Sequence, residues 1–287
     1  MQKKLPIGGQ AVIEGVMMRG RKRVAVAVRA PDGTVIVQNQ PLAVWSDRWP
    51  LFRLPLLRGL AALVESLTLG LRSLIYSANM AGEEAEKLDS TEMGLTIAVS
   101  LAAGTLLFIV APAVLARYLR AFVPNDILLN VIEFAIRISF FIGYILAISR
   151  MQEIGRLFEY HGAEHKAVHA YEAGLPLTVE NVQPQSTLHP RCGTSFLLIV
   201  FSVSMFFFAF LGWSNLLLRI LSRIALMPLI AGVSYEIIRI AGRNKSALVR
   251  AVVYPGMLLQ KLTTREPDAA QMAVAIAALQ GVLEKET

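Results

Sequence analysis

The feature that most constrains this chain is a run of apolar residues, 94–116, that contains no charged side chain. A helix of about 20 such residues crosses the hydrocarbon core of a bilayer, whereas no water-facing fold tolerates the surface that they would form. Three further stretches pass the same test of length, at about 127–149, 194–213 and 216–241. We therefore predict a mainly α-helical, polytopic membrane protein with about four transmembrane helices.

The composition supports this fold class. Of the 287 residues, 55% are hydrophobic and only 17% are charged, against about a quarter charged in ordinary soluble domains. This balance excludes a disordered chain and a single soluble globule. Cys192 is the single cysteine, which excludes an internal disulfide and a zinc ribbon built from cysteines alone.

The distribution of Lys and Arg predicts the orientation, because these residues concentrate on the cytoplasmic side. Twelve precede the first span, four lie in residues 150–193 and six follow residue 242, whereas the link 117–126 has two. We expect a multi-pass protein of the cell membrane with both termini and the middle loop in the cytoplasm. We expect no signal peptide, because the N-terminal lysines precede neither an apolar run nor a cleavage site.

The net charge of +7 has the same topological explanation. The basic residues flank apolar segments and are not interleaved with an aromatic platform, so we expect membrane lipids as partners and no nucleic acid.

Two regions precede the first span. Residues 1–50 are predicted to carry a β-hairpin, because the β-rich runs 24–28 and 34–38 flank an Ala-Pro-Asp-Gly turn sequence. Residues 51–93 are predicted to hold a helix that lies in the membrane interface, followed by an acidic linker. Charged residues such as Glu65 interrupt its apolar face, and a re-entrant segment is the alternative.

The membrane domain covers residues 94–242 and includes the cytoplasmic, histidine-rich loop 150–193. Residues 243–287 form a cytoplasmic tail with a terminal helix, which is predicted to start with Pro267 at its first position. The apolar face of this helix has no catalytic residue types, so we assign it to packing or dimerisation.

The most informative motif of the loop is His161-x-x-Glu164-His165, followed by His169. Residues four apart share one face of a helix, so the three histidines form a ladder with Glu164 beside it. In this reversed zincin arrangement, two histidines bind zinc and the glutamate activates a water molecule.

All four histidines of the chain and its single cysteine fall in this loop, since His189 and Cys192 stand at the entrance to the third predicted span. Such a pair supplies the ligands that complete a tetrahedral zinc site. We predict a metal site with zinc preferred, and iron or manganese as alternatives if carboxylates replace Cys192. The competing interpretation is that the histidines are interfacial polar residues and the Cys192 thiol is a small buried hydrophobe.

The number of ligands decides whether such a site is catalytic. If His161, His165 and either His189 or Cys192 bind the metal, Glu164 is free to act as general base on a bound water, whose pKa falls to about 7. If all the histidines and Cys192 bind, the site is closed and structural. We favour the open site, although the spacing leaves both arrangements open.

Charged residues inside the predicted spans need partners, because an arginine at the centre of a membrane helix costs about 2.5 to 3.5 kcal/mol on insertion scales. Glu133 and Arg137 are four residues apart and are predicted to pair. Arg219 and Arg223 are predicted to snorkel outward. Glu236 lies at the depth expected for the histidines and is a candidate metal ligand, with pairing to an arginine as the alternative.

Four segments together resemble one family. They are 8–20 (GGQAVIEGVMMRG), 160–166 (YHGAEHK), 189–196 (HPRCGTSF) and 262–267 (LTTREP). In this order, and across nearly the whole chain, they are similar to the bacterial YqhQ-like membrane proteins. The resemblance implies a metal-dependent enzyme of the bacterial inner membrane, and it names neither a reaction nor a substrate.

Polar residues in these segments are additional candidates for the site. Gln10 and Glu14 follow two glycines that permit close backbone approach, and Arg191 and Arg265 lie in the third and fourth segments. The competing interpretation of the first segment is a tight turn and a short strand that ends in a basic patch facing anionic lipid head groups. For Arg265 the alternative is helix capping.

Three classes of function fit these features. The first is a zinc-dependent hydrolase at the cytoplasmic membrane face that cuts a membrane-embedded peptide or a lipid-linked substrate. Its weak point is Gly162, which costs about 1 kcal/mol within a helix and predicts a kink. The second is a non-enzymatic module in which a structural zinc joins the loop to the third span, with a partner protein or a homo-oligomer. The third is a small transporter that uses Glu133, Arg137 and Glu236, although no inverted repeat is visible. We favour the hydrolase.

Overall fold

The computed structural model describes residues 5–82, 90–211, 216–241 and 247–284. Most of the predicted acidic linker and the links 212–215 and 242–246 lie outside these residues. The strands are β1 (Gly8–Val12), β2 (Gly15–Arg19), β3 (Arg23–Arg29) and β4 (Val35–Pro41). The helices are α1 (Trp45–Arg48), α2 (Leu57–Ala81), α3 (Ser90–Thr105), α4 (Ala111–Leu119), α5 (Asp126–Ile148), α6 (Gln152–Ala173), α7 (Val179–Val182), α8 (Gly193–Ala209), α9 (Leu216–Ala241), α10 (Ala247–Thr263) and α11 (Ala269–Leu283).

The strands form one antiparallel sheet in the order β1-β2-β3-β4. The predicted hairpin is confirmed as β3 and β4, and Gly33 adopts a left-handed conformation, with φ of 85°, in the connecting turn. The glycine-rich segment before it forms a second hairpin, which pairs Val12 with Gly15 across a two-residue turn. The N-terminal region is therefore a four-stranded sheet.

Both faces of this sheet are covered by helices. Because successive residues of a strand point to opposite faces, Val16 and Met18 of β2 pack in a core with α6 and α11, whereas Met17 packs against α2. The terminal helix α11 contacts β2, β3, β4 and α6. The sheet therefore joins the N-terminal region, the predicted loop 150–193 and the C-terminal tail in one core.

The start of α11 differs from the prediction. Asp268 is the residue that caps the helix: its carboxylate accepts a hydrogen bond from the Gln271 backbone N–H at 2.7 Å, and the Gln271 side chain accepts one from Asp268 N at 2.8 Å. This reciprocal capping box satisfies the first free N–H groups of the helix. Pro267 therefore precedes the cap and does not occupy the first helical position.

Four helices are long and apolar enough to cross a membrane. They are α2, the continuous helix Gly94–Leu119, which joins α3 to α4 through a π-helical segment at Leu106–Val110, then α5, and α9 over Leu216–Ile240. The last three agree with predicted spans, with bounds that differ by at most three residues. Such a set of helices is compatible with a multi-pass membrane protein.

The remaining long helix, α2, matches no predicted span. It covers most of the segment that was predicted to lie in the membrane interface. It has 25 residues and a mean hydropathy of 1.3 in its most apolar window. Its charged side chains are paired across elements: Arg58 with Glu236 of α9, and Glu65 with Arg19 of β2. The prediction treated these charges as interruptions of an apolar face in the membrane interface, because partners so distant along the chain cannot be recognised from the sequence.

The predicted span 194–213 is represented by α8, which has 17 residues. At 1.5 Å per residue a helix of this length covers about 25 Å, which is short of the roughly 30 Å of a hydrocarbon core. α8 packs against α5, α9 and α10. It is therefore a packed apolar helix that is shorter than the four others.

Charged residues from the middle of α5 and the first turns of α9 form one buried cluster. Glu133 accepts a hydrogen bond from Arg137 at 3.0 Å, which confirms the predicted pair, and others from Arg219 at 2.7 Å and from Arg223. The guanidinium groups of Arg137 and Arg223 also lie over the ring of Phe208. The prediction that Arg219 and Arg223 snorkel outward is therefore wrong, because the carboxylate of Glu133 holds both inside.

Candidate metal centre

The candidate centre is built on α6, whose histidines form the predicted ladder. The rings of His161 and His165 lie one turn apart, with centroids separated by 4.4 Å. The segment before α8 brings His189 alongside, 5.7 Å from the ring of His165 and 4.6 Å from that of His169. The four imidazoles therefore form one continuous row, which we call the histidine row.

Two backbone carbonyls orient the first two imidazoles. Nδ1 of His161 lies 2.8 Å from the carbonyl oxygen of Thr263, and Nδ1 of His165 lies 2.5 Å from that of Thr187. A carbonyl only accepts, so each Nδ1 carries a proton and donates it, which leaves the lone pair of each neutral ring on Nε2. Outer hydrogen bonds of this kind orient the histidines of metal sites.

Cys192 completes a group of three potential ligands. Its Sγ lies 3.2 Å from Nε2 of His161, and one ligand atom each of His161, His165 and Cys192 lie within 4.8 Å of one another. Cys192 also caps α8, because its Sγ accepts a hydrogen bond from the Thr194 backbone N–H at 3.5 Å. Cysteine binds metals through its sulfur.

Glu164 lies beside this group and away from water. Its carboxylate is 3.5 Å from Nε2 of His165, and the residue is only 5% exposed. Burial raises the pKa of Glu164 to about 7, while His161 and a hydrogen bond from the Gly9 backbone N–H partly oppose this rise. A carboxylate with such a pKa can accept and return a proton near neutral pH.

The two glycines at the start of β1 have different roles. A β-carbon at Gly9 would lie 2.6 Å from the carbonyl oxygen of Met17 and 2.8 Å from Cγ of Glu164, whereas one at Gly8 would meet nothing within 4 Å. The close approach that the sequence predicted is therefore required at Gly9. It brings the edge strand of the sheet against Glu164.

The ligand helix α6 runs without a break from residue 152 to residue 173, through Gly162. A β-carbon at Gly162 would collide with the carbonyl oxygen of Arg265. Arg265 itself donates to two carbonyl oxygens, from its backbone N–H to Phe158 at 2.9 Å and from its guanidinium to Ser149 at 2.5 Å. Gly162 and Arg265 together hold the segment after α10 against α6.

An open cleft of about 390 Å³ leads to the centre. Its walls come from the start of β1, from β2, from Glu164 and His165 of α6 and from the segment 189–193. α2 contributes Ser66 and Leu69. The cleft is therefore lined both by the histidine-bearing helix and by one of the long apolar helices.

His169, Glu172 and His189 form a second group of potential ligands, with one ligand atom each within 4.8 Å of the others. Nε2 of His169 donates to the carbonyl oxygen of Leu188 at 2.9 Å, and Nε2 of His189 lies 3.6 Å from the carboxylate of Glu172. Burial lowers the pKa of His189 to about 3, so its imidazole is neutral. Arg191 donates to the other oxygen of Glu172.

Two of the additional polar candidates lie at the cleft. Gln10 lines it and donates from Nε2 to the Gly70 carbonyl oxygen of α2 at 3.3 Å. Arg191 lines it from the opposite segment. Both side chains stand where they can contact a molecule in the cleft.

Two other candidates, Glu14 and Glu236, are not brought to the histidine row. Glu14 accepts hydrogen bonds from Arg156 at 2.5 Å and from the Tyr160 hydroxyl at 3.2 Å, and it sits at φ of 48° in the tight turn after β1. Glu236 accepts one from Arg58 at 2.6 Å and so joins α9 to α2. Both act as partners of arginines between helices and strands.

Sequence reasoning missed three residues that position the centre. Thr187 and Thr263 act through backbone carbonyls, which every residue type has. Gln260 is fully buried and holds the backbone of His189 from both sides, because its Oε1 accepts from His189 N at 2.8 Å and its Nε2 donates to His189 O at 2.9 Å. The only available signal was that Thr263 lies in one of the four family-like segments.

The side chains of the first group fit a zinc ion. Two imidazole nitrogens and a thiolate are typical zinc ligands, and three protein ligands leave the fourth position for water. Within the described part of the chain, Nε2 of His165 and of His189 are buried atoms without a hydrogen-bond partner. Such atoms destabilise a fold by about 1–3 kcal/mol each unless something binds them.

Comparisons with known proteins agree with the four segments. Residues 54–285 match the family described as "Protein of unknown function (DUF1385)". The chain is also 36% identical over 294 residues to the "Uncharacterized protein YqhQ" of Bacillus subtilis (strain 168), a match that covers 97% of this chain and 92% of that protein. No solved structure matches the chain. The chain therefore belongs to the DUF1385 family, as a YqhQ-like member.

Proposed function

We propose that this protein is a metal-dependent hydrolase of the cell membrane, with a zinc ion held by His161, His165 and Cys192. The observation that supports this proposal is the orientation of the two imidazoles. Their Nδ1 protons are bound by backbone carbonyls, so both Nε2 lone pairs are available beside the Cys192 sulfur.

Glu164 is the proposed general base. A bound zinc ion would supply a water molecule whose pKa is lowered to about 7. Glu164 takes the proton of the attacking water and returns it to the leaving group. Gly9 holds the carboxylate in place through its backbone N–H, and burial keeps bulk water from the carboxylate.

The proposed substrate is a membrane-embedded peptide or a lipid-linked molecule. The cleft that leads to Glu164 is lined in part by α2, a helix long and apolar enough to cross a membrane. A substrate held in the bilayer could therefore reach the centre along α2. We assign the cleft to the cytoplasmic face, because α6 lies in the segment that the distribution of Lys and Arg predicts to be cytoplasmic.

The first experiment measures metal content by mass spectrometry on the full-length protein purified in detergent. We expect zinc in the wild type and in Glu164→Gln, and loss of zinc in His165→Ala. Glu153→Gln is the matched control, because Glu153 is an exposed acid on the same helix. An absence of metal from the wild type, even after zinc supplementation, would contradict the proposal.

A second experiment tests hydrolysis without a known substrate. Membranes from cells that express the wild type or Glu164→Gln are compared by mass spectrometry of peptides and of lipids. We expect products that accumulate with the wild type and are lower by about 10²–10⁴-fold with Glu164→Gln, the range for loss of a general base. Identical profiles would argue against an enzyme.

A structural zinc site is the second candidate, and one observation favours it. The ligands and the carbonyls that orient them come from α6, from the segment before α8 and from the end of α10, so an ion here would also join three parts of the fold. Binding of acetohydroxamate, a small chelator, separates the candidates by calorimetry. An open catalytic site binds it, whereas a closed structural site does not.

A further inference from the structure

We propose that His169, Glu172 and His189 bind a second metal ion next to the first, so that the histidine row forms a two-ion centre. The inference rests on the proposed function, which it extends from one ion to two. The two groups share no ligand, because the first uses His161, His165 and Cys192.

The second group has its own evidence for an ion. Nε2 of His189 is buried, and within the described residues it has no hydrogen-bond partner. It faces the carboxylate of Glu172 at 3.6 Å, which is longer than a hydrogen bond. An atom that is both buried and unpaired beside a carboxylate and a second imidazole is placed to bind a cation.

Neighbouring groups orient the other two ligands. His169 donates from Nε2 to the Leu188 carbonyl oxygen, so its lone pair is on Nδ1. One oxygen of Glu172 accepts from Arg191, and the other is the oxygen closest to His189. A carboxylate shared between an ion and an arginine is a common outer arrangement in metal sites.

His189 must change tautomer for this role. Its Nδ1 accepts a hydrogen bond of 3.3 Å from the Arg191 backbone N–H, which is long and therefore weak. Metal binding at Nε2 moves the ring proton to Nδ1 and replaces this bond with a metal ligand bond. Gln260 holds the backbone of His189 in both states.

The two groups differ in chemistry, and this difference makes the proposal testable. The first contains a thiolate, which favours zinc, whereas the second contains two imidazoles and a carboxylate, which also suit manganese and iron. Paired ions can bind both the attacking and the leaving oxygen of a hydrolysed bond.

The test counts ions bound to the full-length protein in detergent after dialysis against zinc. We expect about two ions per chain in the wild type and in Glu153→Gln, and about one in Glu172→Gln. Glutamine keeps the size of the side chain and can still accept from Arg191, so the loss reports the missing charge. Glu172→Asp, which keeps the carboxylate, is expected to retain more of the second ion than Glu172→Gln.

Cobalt(II) shows which site each variant loses, because a cysteine ligand gives cobalt a sulfur charge-transfer band. We expect Glu172→Gln to keep this band and Cys192→Ser to lose it while one ion stays bound. One zinc ion in both the wild type and Glu172→Gln would overturn the second site and leave the first intact. No ion in the wild type would overturn the proposed function as well.

Discussion

The protein has two buried polar clusters that differ in the kind of atom that lacks a hydrogen-bond partner. Within the described part of the chain, such atoms of the Glu133 cluster include Nε of Arg223 and Nδ2 of Asn130, which are only donors. In the Glu133 cluster, each carboxylate oxygen accepts from two of the three arginines. In the histidine row, Nε2 of His165 and Nε2 of His189 have no hydrogen-bond partner among the described residues. The first cluster contains a fully bonded carboxylate and unpaired N–H donors, whereas the second contains imidazole nitrogens, which can bind a metal ion, beside a cleft.

This difference separates a structural cluster from a candidate site. A bonded carboxylate between arginines joins the helices that carry them, here α5 and α9, and has no oxygen left for a ligand. An unpaired imidazole nitrogen can present a lone pair to a metal ion, whereas an arginine or asparagine N–H is only a donor. The comparison also weakens the transporter hypothesis, because Glu133 is held by three guanidinium groups and is a poor carrier of protons.

The largest effect is expected from Glu133→Gln, which leaves three buried arginines without a counter-charge. Removal of one partner from a buried ion cluster destabilises a protein by about 3–5 kcal/mol. We expect a loss of this size in the free energy of unfolding, measured by denaturation in detergent. Zinc content per folded molecule should stay unchanged, since the metal ligands are on other elements. A variant as stable as the wild type would show that the cluster is not structural.

Metal removal should lower the stability that zinc binding to the histidine row provides. A ligand that binds only the folded state stabilises it by about 2.7 kcal/mol at a free concentration of 100 times Kd. We expect zinc at that excess to raise the melting temperature of the metal-free wild type. The increase should be much smaller in Cys192→Ser and unchanged in Glu153→Gln. An equal increase in all three proteins would assign the effect to zinc at other sites.

Gly8 and Gly9 allow two matched alanine variants to be compared at the cleft. Gly9→Ala places a β-carbon against Met17 and Glu164, and overpacking of this kind costs about 1–3 kcal/mol. It should also lower the accumulation of hydrolysis products, because it displaces Glu164, the proposed general base. Gly8→Ala is the matched control, since its β-carbon meets no atom within 4 Å. Equal stability and equal product accumulation in both variants would contradict the proposed contact.

The smallest effect concerns Glu14, which lies outside both clusters. A hydrogen bond from Arg156 holds the pKa of Glu14 below its ordinary value of 4.5. A lowered pKa stabilises the fold above the unfolded value, and this contribution is lost as the pH falls through the folded value. Because Arg156 is 42% exposed in its side chain, we expect at most about 1 kcal/mol.

Melting curves between pH 7 and pH 3 test this contribution. The wild type should lose more stability on acidification than Glu14→Gln, with the difference developing below about pH 4.5. Glu153→Gln should follow the wild type. Parallel curves for the wild type and Glu14→Gln would show that the ion pair contributes nothing to stability.

Elements that depend on local composition could be predicted closely. The apolar run 127–149 is α5 at Asp126–Ile148, and the run 216–241 is α9 with the same bounds. The hairpin turn before β4 and the histidine ladder on α6 could be predicted equally closely. Each of these signals involves residues that are neighbours along the chain.

Polar residues whose partners are distant could not be predicted. Arg219 bonds Glu133 across 86 residues, and Glu236 bonds Arg58 across 178. Their charges were visible in the sequence, but the direction of each side chain depends on helix packing. The prediction of outward arginines failed for this reason.

The apolar helices, the hairpin and a histidine ladder with Glu164 beside it follow from the sequence, because periodicity and hydrophobicity act over a few residues. The tertiary structure sets which nitrogen of His161 and of His165 donates a hydrogen bond, since that choice depends on carbonyls that α10 and the segment before α8 bring to α6. It also decided that Gly9 must lack a side chain, because β1 meets Glu164 there. Hydrogen bonds and close contacts depend on distances between folded elements, which no spacing along the chain specifies.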